Sequence, residues 1–444
     1  MSFQDFGLMA ELLRAIDEQQ YTTATPIQAQ AIPVILAGGD VMAAAQTGTG
    51  KTAGFTLPML QRLMHNRSDS SQRKVRALIL APTRELAAQV EQSVVTYGRH
   101  LPLQSMTIFG GVGMQPQVNK LRRGVDILVA TPGRLMDHMQ RGTVKLDGVE
   151  ILVLDEADRM LDMGFIHDIK RIIKTMPRAR QTLLFSATFS KEIAMLAGEM
   201  LRQPTRIDVA PGRSAAETIN QTVYPVHQND KRALLQHLVC TGKWDQVLVF
   251  ARTKHGADRL AKQLDREGLT ATAIHGNKSQ GARTKALHEF KSNQVRILVA
   301  TDIAARGLDI DQLPHVVNFD LPSVAEDYVH RIGRTGRAGR GGEAISLVSP
   351  EEGKHLRDIE KLLRKPIAQA QAEGFAASAV VHIKSAPQGQ PNGRPNGGRP
   401  NAGRPNAGKP RGANAHGKRQ PNKSRGRNRS NAGAGGKPQA RRGR

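Results

Sequence analysis

The sequence predicts an α/β protein made of two open parallel sheets in tandem, each covered by helices on both faces, with a basic carboxyl-terminal tail that does not fold. Three observations carry this expectation. Short apolar runs of strand length alternate with stretches of helical periodicity over roughly residues 40–350. The alternation breaks once, around residues 201–219, where Gln203-Pro204 and Pro211-Gly212-Arg213-Ser214 bring turn chemistry, and then it restarts. From Ser385 to Arg444 there are fifteen Lys and Arg, no Asp or Glu and no aromatic residue.

At the amino terminus, Leu8, Leu12, Leu13 and Ile16 mark a helix, and a second helix begins near Pro26. Residues 1–20 lack the basic start and apolar core of a secretory signal. Between the helices lies Tyr21-Thr22-Thr23-Ala24-Thr25-Pro26-Ile27-Gln28. Alone it is a turn and a helix start. Its place upstream of a glycine loop allows a second role, because the Gln28 amide donates and accepts at once, as an adenine edge requires, and Tyr21 offers a stacking face.

Asp40–Ala45 reads as a strand and Lys51–Met64 as a helix, joined by Gln46-Thr47-Gly48-Thr49-Gly50. A glycine turn between strand and helix aims backbone N–H groups at a phosphate beside the positive end of the helix dipole. Lys51 would reach the β and γ phosphates and the Thr52 hydroxyl would bind Mg²⁺. Ala45 stands where the pattern G-x-x-x-x-G-K-S/T has its first glycine.

Further strands are expected at Ala77–Ala81, Ser105–Phe109, Asp126–Ala130, Val149–Leu154 and Thr182–Phe185. The fourth of these ends in Asp155-Glu156-Ala157-Asp158. Carboxylates at the end of a parallel strand lie where open α/β sheets bind ligands, although an ordinary acidic turn has the same composition. The other turns are Pro82-Thr83-Arg84-Glu85-Leu86-Ala87, Gly110-Gly111, Thr131-Pro132-Gly133-Arg134 and Ser186-Ala187-Thr188. Each alone reads as capping or turn chemistry. Together on one sheet edge they would present hydroxyls, glycines and arginines to a phosphate backbone.

Beyond the break, strands are expected at Thr222–Val226, Val247–Ala251, Thr270–Ile274, Arg296–Ala300, His315–Phe319 and Ala344–Val348, with no second phosphate loop. Asp302–Asp309 follows one of them. In the run His330–Arg337, the residues Arg331, Arg334 and Arg337 recur every third position among glycines. By itself the run is a solvated basic loop or an RNA-contacting patch. Set opposite a bound nucleotide, its arginines would neutralise charge developing on a γ-phosphoryl group.

The chain's net charge of +25 and pI of about 10.6 suggest a polyanionic partner, nucleic acid first and an anionic membrane surface second. Cys240 is the only cysteine, which excludes an intramolecular disulfide, and no apolar run has the length of a membrane span. A cytoplasmic location follows as the expectation.

The set Gln28, Ala45–Thr52, Pro82–Ala87, Gly110-Gly111, Thr131–Arg134, Asp155–Asp158, Ser186–Thr188, Ala300–Ile310 and His330–Arg337 resembles the DEAD-box family of ATP-dependent RNA helicases, in family order over roughly residues 3–350. His275–Arg283 and Met1-Ser2-Phe3 look most like the bacterial RhlE branch. The resemblance implies two RecA-like domains, with ATP and Mg²⁺ as cofactors and RNA as partner to a monomer. It implies that Phe3, Tyr21 and Gln28 recognise adenine, that Gln46, Thr47, Gly48, Thr49, Gly50, Lys51 and Thr52 hold phosphates and metal, and that Asp309 contacts the ribose. Asp155 would bind Mg²⁺ through water, and Glu156 would orient or deprotonate the attacking water. Arg334 and Arg337 would be arginine fingers. Asp158, Ser186, Thr188 and His330 would couple the domains, and Arg84, Gly111, Thr131, Arg134, Arg252, Arg283 and Thr301 would face the RNA backbone. Ala45 fits the family pattern. Gln20, where the family often has Gly, and Ala24, where Pro is common, depart from it.

The expected boundaries are 1–208 for the ATP-binding domain with its adenine segment 3–28, 209–218 for a linker, 219–365 for the second domain, 366–384 for a transition and 385–444 for the tail. The tail repeats Asn-Gly/Ala-Gly-Arg/Lys-Pro between Asn396 and Pro410 and cannot bury enough surface to fold, so it would either tether RNA electrostatically or serve as a solubilising extension. Three activities fit: a helicase or remodeller, an ATP-gated RNA clamp with little strand separation, and a DNA translocase, the last without a duplex-tracking accessory domain. The function implied by the resemblance is an RNA-dependent ATPase opening short duplexes or remodelling RNA–protein complexes, in ribosome assembly or RNA turnover.

Overall fold

The computed structural model describes residues 1–45, 48–66, 73–209, 219–305, 310, 313–336, 342–376 and 381. In the first half the strands are β1 Val41–Ala44, β2 Ala77–Leu80, β3 Ser105–Ile108, β4 Ile127–Ala130, β5 Ile151–Leu154, β6 Gln181–Ser186 and β7 Thr205–Asp208. In the second they are β8 Asn220–Pro225, β9 Val247–Phe250, β10 Ala271–Ile274, β11 Ile297–Ala300, β12 His315–Asn318, β13 Glu343–Val348 and β14 Ala368–Gln369. The two sheets have the orders β3-β4-β2-β5-β6-β1-β7 and β10-β11-β9-β12-β13-β8-β14, with every pair parallel. The second order repeats the first strand for strand. This is the α/β architecture of two RecA-like domains.

Alternation along each strand splits the first core between two faces. Val41, Ala43, Ile79, Val129, Val153 and Phe185 meet helices Ala10–Glu18, Pro26–Leu36, Lys51–His65 and Arg84–Tyr97. Leu78, Leu80, Leu128, Leu152, Leu154 and Leu184 meet Pro132–Gln140, Ala157–Asp162, Ile166–Lys174 and Lys191–Met200. Burial on both faces is why these strands read as unbroken apolar runs. Each fully buried Leu or Val contributes about 1.5–3 kcal/mol. Because all strands point one way, the loops after β1, β2, β4, β5 and β6 gather along one edge, where such sheets bind ligands.

Two edge strands have no apolar signature. In β7 only Ile207 is buried, and β14 is exposed throughout, so their backbone pairing to β1 and β8 leaves no periodicity to read. The segment after Pro366, expected to thin into low complexity, instead buries Ile367 and sets Phe375 against His237 with ring centroids 5.6 Å apart. The tail lies outside the described residues. Among the described residues, no helix is long and apolar enough to cross a membrane.

Candidate functional site

The loop after β1 enters its helix through Gly48 and Gly50, both in the left-handed region at φ 80° and 91°. At Gly50 a Cβ would stand 2.5 Å from Gln28 Nε2, so the position is closed to side chains. Thr49 and Thr52 are half-buried on either side of it, and Gln46 and Thr47 lie outside the described residues. Lys51 opens the 15-residue helix Lys51–His65, and although it is only 6 % exposed its ammonium has no hydrogen-bond partner. One strand beyond β6, at the end of β5, Asp155 is also buried and its Oδ1 has no partner. Burial pushes the Asp155 carboxyl up to about 6, against the pull of Lys51, with Glu156 and Asp158 adding to the rise. A buried cation and a buried carboxylate oxygen, both unpartnered, mark a place shaped for a ligand that supplies the missing bonds.

Glu156 follows at φ 53°, ψ 54°, a left-handed conformation that costs a non-glycine residue about 1–2 kcal/mol. It is buried, and this bend between β5 and helix Ala157–Asp162 is the kind of backbone strain that concentrates at functional sites. Asp158 is spent on structure. Its Oδ2 accepts from Ala187 N (3.1 Å), Thr188 N (3.1 Å) and Thr188 Oγ1 (3.2 Å), and its Oδ1 from Arg159 N (3.0 Å). The Ser186 hydroxyl donates to the Thr188 carbonyl at 2.7 Å. The loops after β5 and β6 are thereby tied into one unit. A cavity of about 820 Å³ joins that unit to the second half, lined by Asp158 and Thr188 on one side and by Asp327 and His330 on the other. Arg159 Nη1 approaches Asp327 Oδ1 at 3.6 Å across it.

The basic run separates by role. Arg331 is 2 % exposed and locked. It donates to Asp302 Oδ1 (2.5 Å) and Oδ2 (2.8 Å), Asn318 Oδ1 (3.1 Å) and the Asp320 carbonyl (2.6 Å), with its guanidinium over the Phe250 ring at 4.9 Å. Arg334 is buried beside His330, Asp302 and Asp327. Arg337 and Asp309 lie outside the described residues.

A second cluster joins the halves elsewhere. Arg84 begins helix Arg84–Tyr97 and donates to Gln280 Oε1 at 3.2 Å. Glu85 Oε1 accepts from Arg283 Nε (2.8 Å) and Gln280 Nε2 (3.0 Å), with Arg283 Nη2 also at 2.8 Å, in an ion pair exposed by only 9 % on each side. Gly111 sits at φ 78° directly under Arg84, where a Cβ would stand 2.0 Å from Nη1. Arg134 holds the Val112 carbonyl with both Nη atoms at 3.2 Å. Burial first, and then the guanidiniums of Arg283 and Arg134, push the Arg84 guanidinium below its ordinary value, with Glu85 opposing. Glu85 answers Arg283 and Asp137 Oδ2 lies 3.5 Å from Arg134 Nε, so three arginines share two carboxylates and the cluster keeps a net positive charge. Thr131 and Thr301 each precede a helix at the end of a strand, β4 and β11. Arg252 lies apart, bonded through Nη2 to Glu352 Oε1 at 2.8 Å.

Models of two families match this chain: "DEAD/DEAH box helicase" over residues 25–196 and "Helicase conserved C-terminal domain" over residues 230–339. The CshA ATP-dependent RNA helicase of Limosilactobacillus reuteri is 43 % identical over 390 residues, 86 % of this chain and 78 % of that protein. The chain belongs to the DEAD-box family of ATP-dependent RNA helicases. The RhlB helicase of Pseudomonas putida is 44 % identical over 82 % of this chain and 93 % of its own length. Among solved structures, Mss116p bound to ssRNA and AMP-PNP superposes with a TM-score of 0.76 at 31 % identity, covering 84 % of this chain and 79 % of that one. Dbp5 of S. cerevisiae bound to RNA and ADP BeF3 gives a TM-score of 0.73 at 31 % identity, over 83 % of this chain and 95 % of that one. This DEAD-box protein is therefore an ATP-hydrolysing RNA helicase by family.

Within this DEAD-box chain the adenine candidates are placed unequally. Tyr21 is 44 % exposed, with its ring 6.4 Å from Tyr97, while Phe3 is 3 % exposed and packs edge-on against Phe6. The Gln28 amide is already engaged, accepting from Thr25 N at 2.9 Å and donating to the Gly50 carbonyl at 3.1 Å. Each end of the amide keeps one further hydrogen-bonding site, so the bonds to Thr25 and Gly50 leave it able to read a base and link the adenine segment to the phosphate loop. Gln20 takes φ 58°, the conformation a glycine would adopt without strain, and Ala24 donates its N–H to the Met1 carbonyl at 3.1 Å, a bond proline lacks. Among the described residues no group of three or more His, Cys, Asp or Glu is placed to hold a metal. The unpartnered Asp155 Oδ1 with the Thr52 hydroxyl suits an ion that takes its remaining ligands from phosphate and water, as Mg²⁺ does.

Sequence reasoning missed Glu85, Gln280 and Asp302, which lie inside stretches it singled out but whose roles depend on residues nearly 200 positions away or across a sheet. It also missed Glu352.

Proposed function

We propose that this protein is an RNA-dependent ATPase that locally opens short RNA duplexes, or remodels RNA–protein complexes, by closing its two sheets around ATP and RNA. The observation that carries the reading is the pair of unpartnered buried atoms, Lys51 Nζ at the start of the helix that follows β1 and Asp155 Oδ1 at the end of β5. A triphosphate supplies the anion that Lys51 lacks. Thr52, and Asp155 through water, would hold Mg²⁺, which would supply neutralisation of phosphate charge. Glu156, fixed by its strained backbone, orients or deprotonates the attacking water. Arg334 and Arg337 come from the second sheet to the γ-phosphoryl group, and Asp309 meets the ribose. The Asp158–Ser186–Thr188 unit and His330 pass the state of the nucleotide between the halves.

RNA enters at the Arg84–Arg134–Arg283 cluster, with Gly111, Thr131 and Thr301 along the same path and Arg252 as a separate contact on the second sheet. Support comes from the positive charge gathered there and from the RNA bound in the Mss116p and Dbp5 structures. Contacts to phosphates and 2′-hydroxyls leave recognition largely independent of sequence, and a grip that demands bent or unpaired RNA separates a short duplex. The reading extends to a monomeric cytoplasmic enzyme of the RhlE type acting on ribosomal precursors or on RNA entering decay.

The test is a duplex-unwinding assay beside an ATPase assay, with RNA and DNA as stimulators. RNA-specific stimulation with strand release supports the reading. Turnover without release identifies a clamp, and equal stimulation by DNA overturns RNA specificity.

A further inference from the structure

The two sheets share one topology, so positions in the second can be matched to the nucleotide site of the first. The Ala45 N–H donates to the Ser186 carbonyl at the end of β6, and the Val226 N–H donates to the Val348 carbonyl at the end of β13, at 3.0 and 2.9 Å. A helix begins after each, at Lys51 and at Lys231. Likewise the N–H of Asp155 donates to the Leu80 carbonyl at the end of β2 (3.0 Å), and the N–H of Asp320 to the Phe250 carbonyl at the end of β9 (3.2 Å). Lys231 is therefore the counterpart of Lys51, while by strand register (Leu154 opposite Leu80, Asn318 opposite Phe250) Phe319 is the counterpart of Asp155 and Asp320 follows it by one residue.

The two sites differ in what answers the lysine. Lys51 Nζ has no partner. Lys231, which is 0 % exposed, donates to Glu352 Oε2 (2.5 Å) and to the Phe319 carbonyl (2.8 Å), with Asp320 Oδ1 at 3.9 Å. The Glu352 carboxylate, itself 3 % exposed, collects four more donors: Arg252 Nη2 (2.8 Å), Leu321 N (3.0 Å), Ser349 N (3.1 Å) and Ser349 Oγ (3.3 Å). Two cations, two backbone N–H groups and a hydroxyl converging on one carboxylate make an anion site. The connection His227-Gln228-Asn229-Asp230 has no glycine, so its backbone cannot wrap a triphosphate. A carboxylate from the loop after β13 fits instead.

We propose that the second sheet retains an anion site at its phosphate-loop position and that its resident anion is the chain's own Glu352, which closes the position to nucleotide and holds the Arg252 side chain. The inference stands on the second sheet alone and needs neither ATP nor RNA binding. Removing the carboxylate should open the site to a small tetrahedral oxyanion.

The experiment uses the full chain and follows unfolding by Trp244, the only tryptophan, which lies in the second half stacked on His315 at 4.3 Å. Midpoints are compared in inorganic phosphate and in chloride at equal ionic strength. The expected result is no difference for the parent protein and a phosphate-dependent rise for Glu352→Ala that grows with the logarithm of phosphate concentration. A Glu352→Ala protein that folds only in phosphate supports the proposal equally. The rise should vanish when Lys231→Met is added and be absent in Glu352→Gln, whose amide still fills the site. Equal midpoints in the two salts for Glu352→Ala, failure to fold in both, or a phosphate effect that survives Lys231→Met would overturn the proposal.

Discussion

Of the two described arginines in the basic run, the buried one should matter for stability and its neighbour for turnover. Arg331→Ala removes four hydrogen bonds and leaves the Asp302 carboxylate without its bidentate partner and the Asn318 carbonyl oxygen, in a fully buried side chain, without its donor. Breaking a buried ion pair from one side costs about 3–5 kcal/mol, a large fraction of the roughly 5–15 kcal/mol that holds a domain together. Arg331→Lys keeps the charge but loses the planar fork and the stack on Phe250, and should still cost about 2 kcal/mol. Replacing both partners by apolar residues, Arg331→Met with Asp302→Leu, should recover much of the loss because no charge is left stranded. Urea unfolding read at Trp244 measures the second half directly, and ATPase rates at 15 °C separate stability from turnover. Arg334→Lys should instead lower turnover far more than its unfolding midpoint accounts for. An Arg331→Ala protein that unfolds within about 1 kcal/mol of the parent would refute the assignment.

Gly111→Ala forces a Cβ at φ 78° into the Arg84 guanidinium, so RNA affinity in a filter or anisotropy assay should fall about tenfold while RNA-free ATP binding is unchanged. Asp155 binds its proton more tightly in the folded than in the unfolded state, its carboxyl rising from 3.8 to about 6. Its contribution to ligand-free stability should therefore be full below about pH 4 and be lost, by about 3 kcal/mol, as pH rises through 6, and that component of the slope should be missing from Asp155→Asn in pH-dependent urea melts. Removing the chain from Ser385 onward deletes fifteen positive charges, and should weaken RNA binding and flatten its salt dependence while sparing RNA-saturated turnover. An unchanged salt slope would rule out an electrostatic tether.

Both sheets were legible because parallel strands buried on two faces leave unbroken apolar runs such as Ile151–Leu154, and the ligand edge followed because such sheets place all their carboxyl-end loops together. β7 and β14 were not legible, since edge strands held by backbone bonds carry little apolar pattern. The three-residue spacing of Arg331, Arg334 and Arg337 does not itself separate their roles, but the helix Ala325–Ile332 turns Arg331 inward onto Asp302 and ends before Arg334. The chemistry of Gln28 pointed to adenine, while its distance in sequence from Gly50 hid the bond that joins them. Glu352 was invisible for a similar reason: a glutamate in a Ser-Pro-Glu-Glu turn looks solvated until Lys231 and Arg252, more than 100 and exactly 100 positions upstream, close over it.

Turnover rests on Glu156 acting on water between a held triphosphate and an RNA-dependent closure. The most direct measurement is single-turnover ATP hydrolysis by Glu156→Gln in saturating RNA, beside ATP-dependent RNA retention on the same protein. The expected result is hydrolysis lowered by at least about 10²-fold, in keeping with loss of general acid–base assistance, with RNA held longer than by the parent because the closed state is not discharged. Hydrolysis at the parent rate would contradict the role given to Glu156 and the active site built around it.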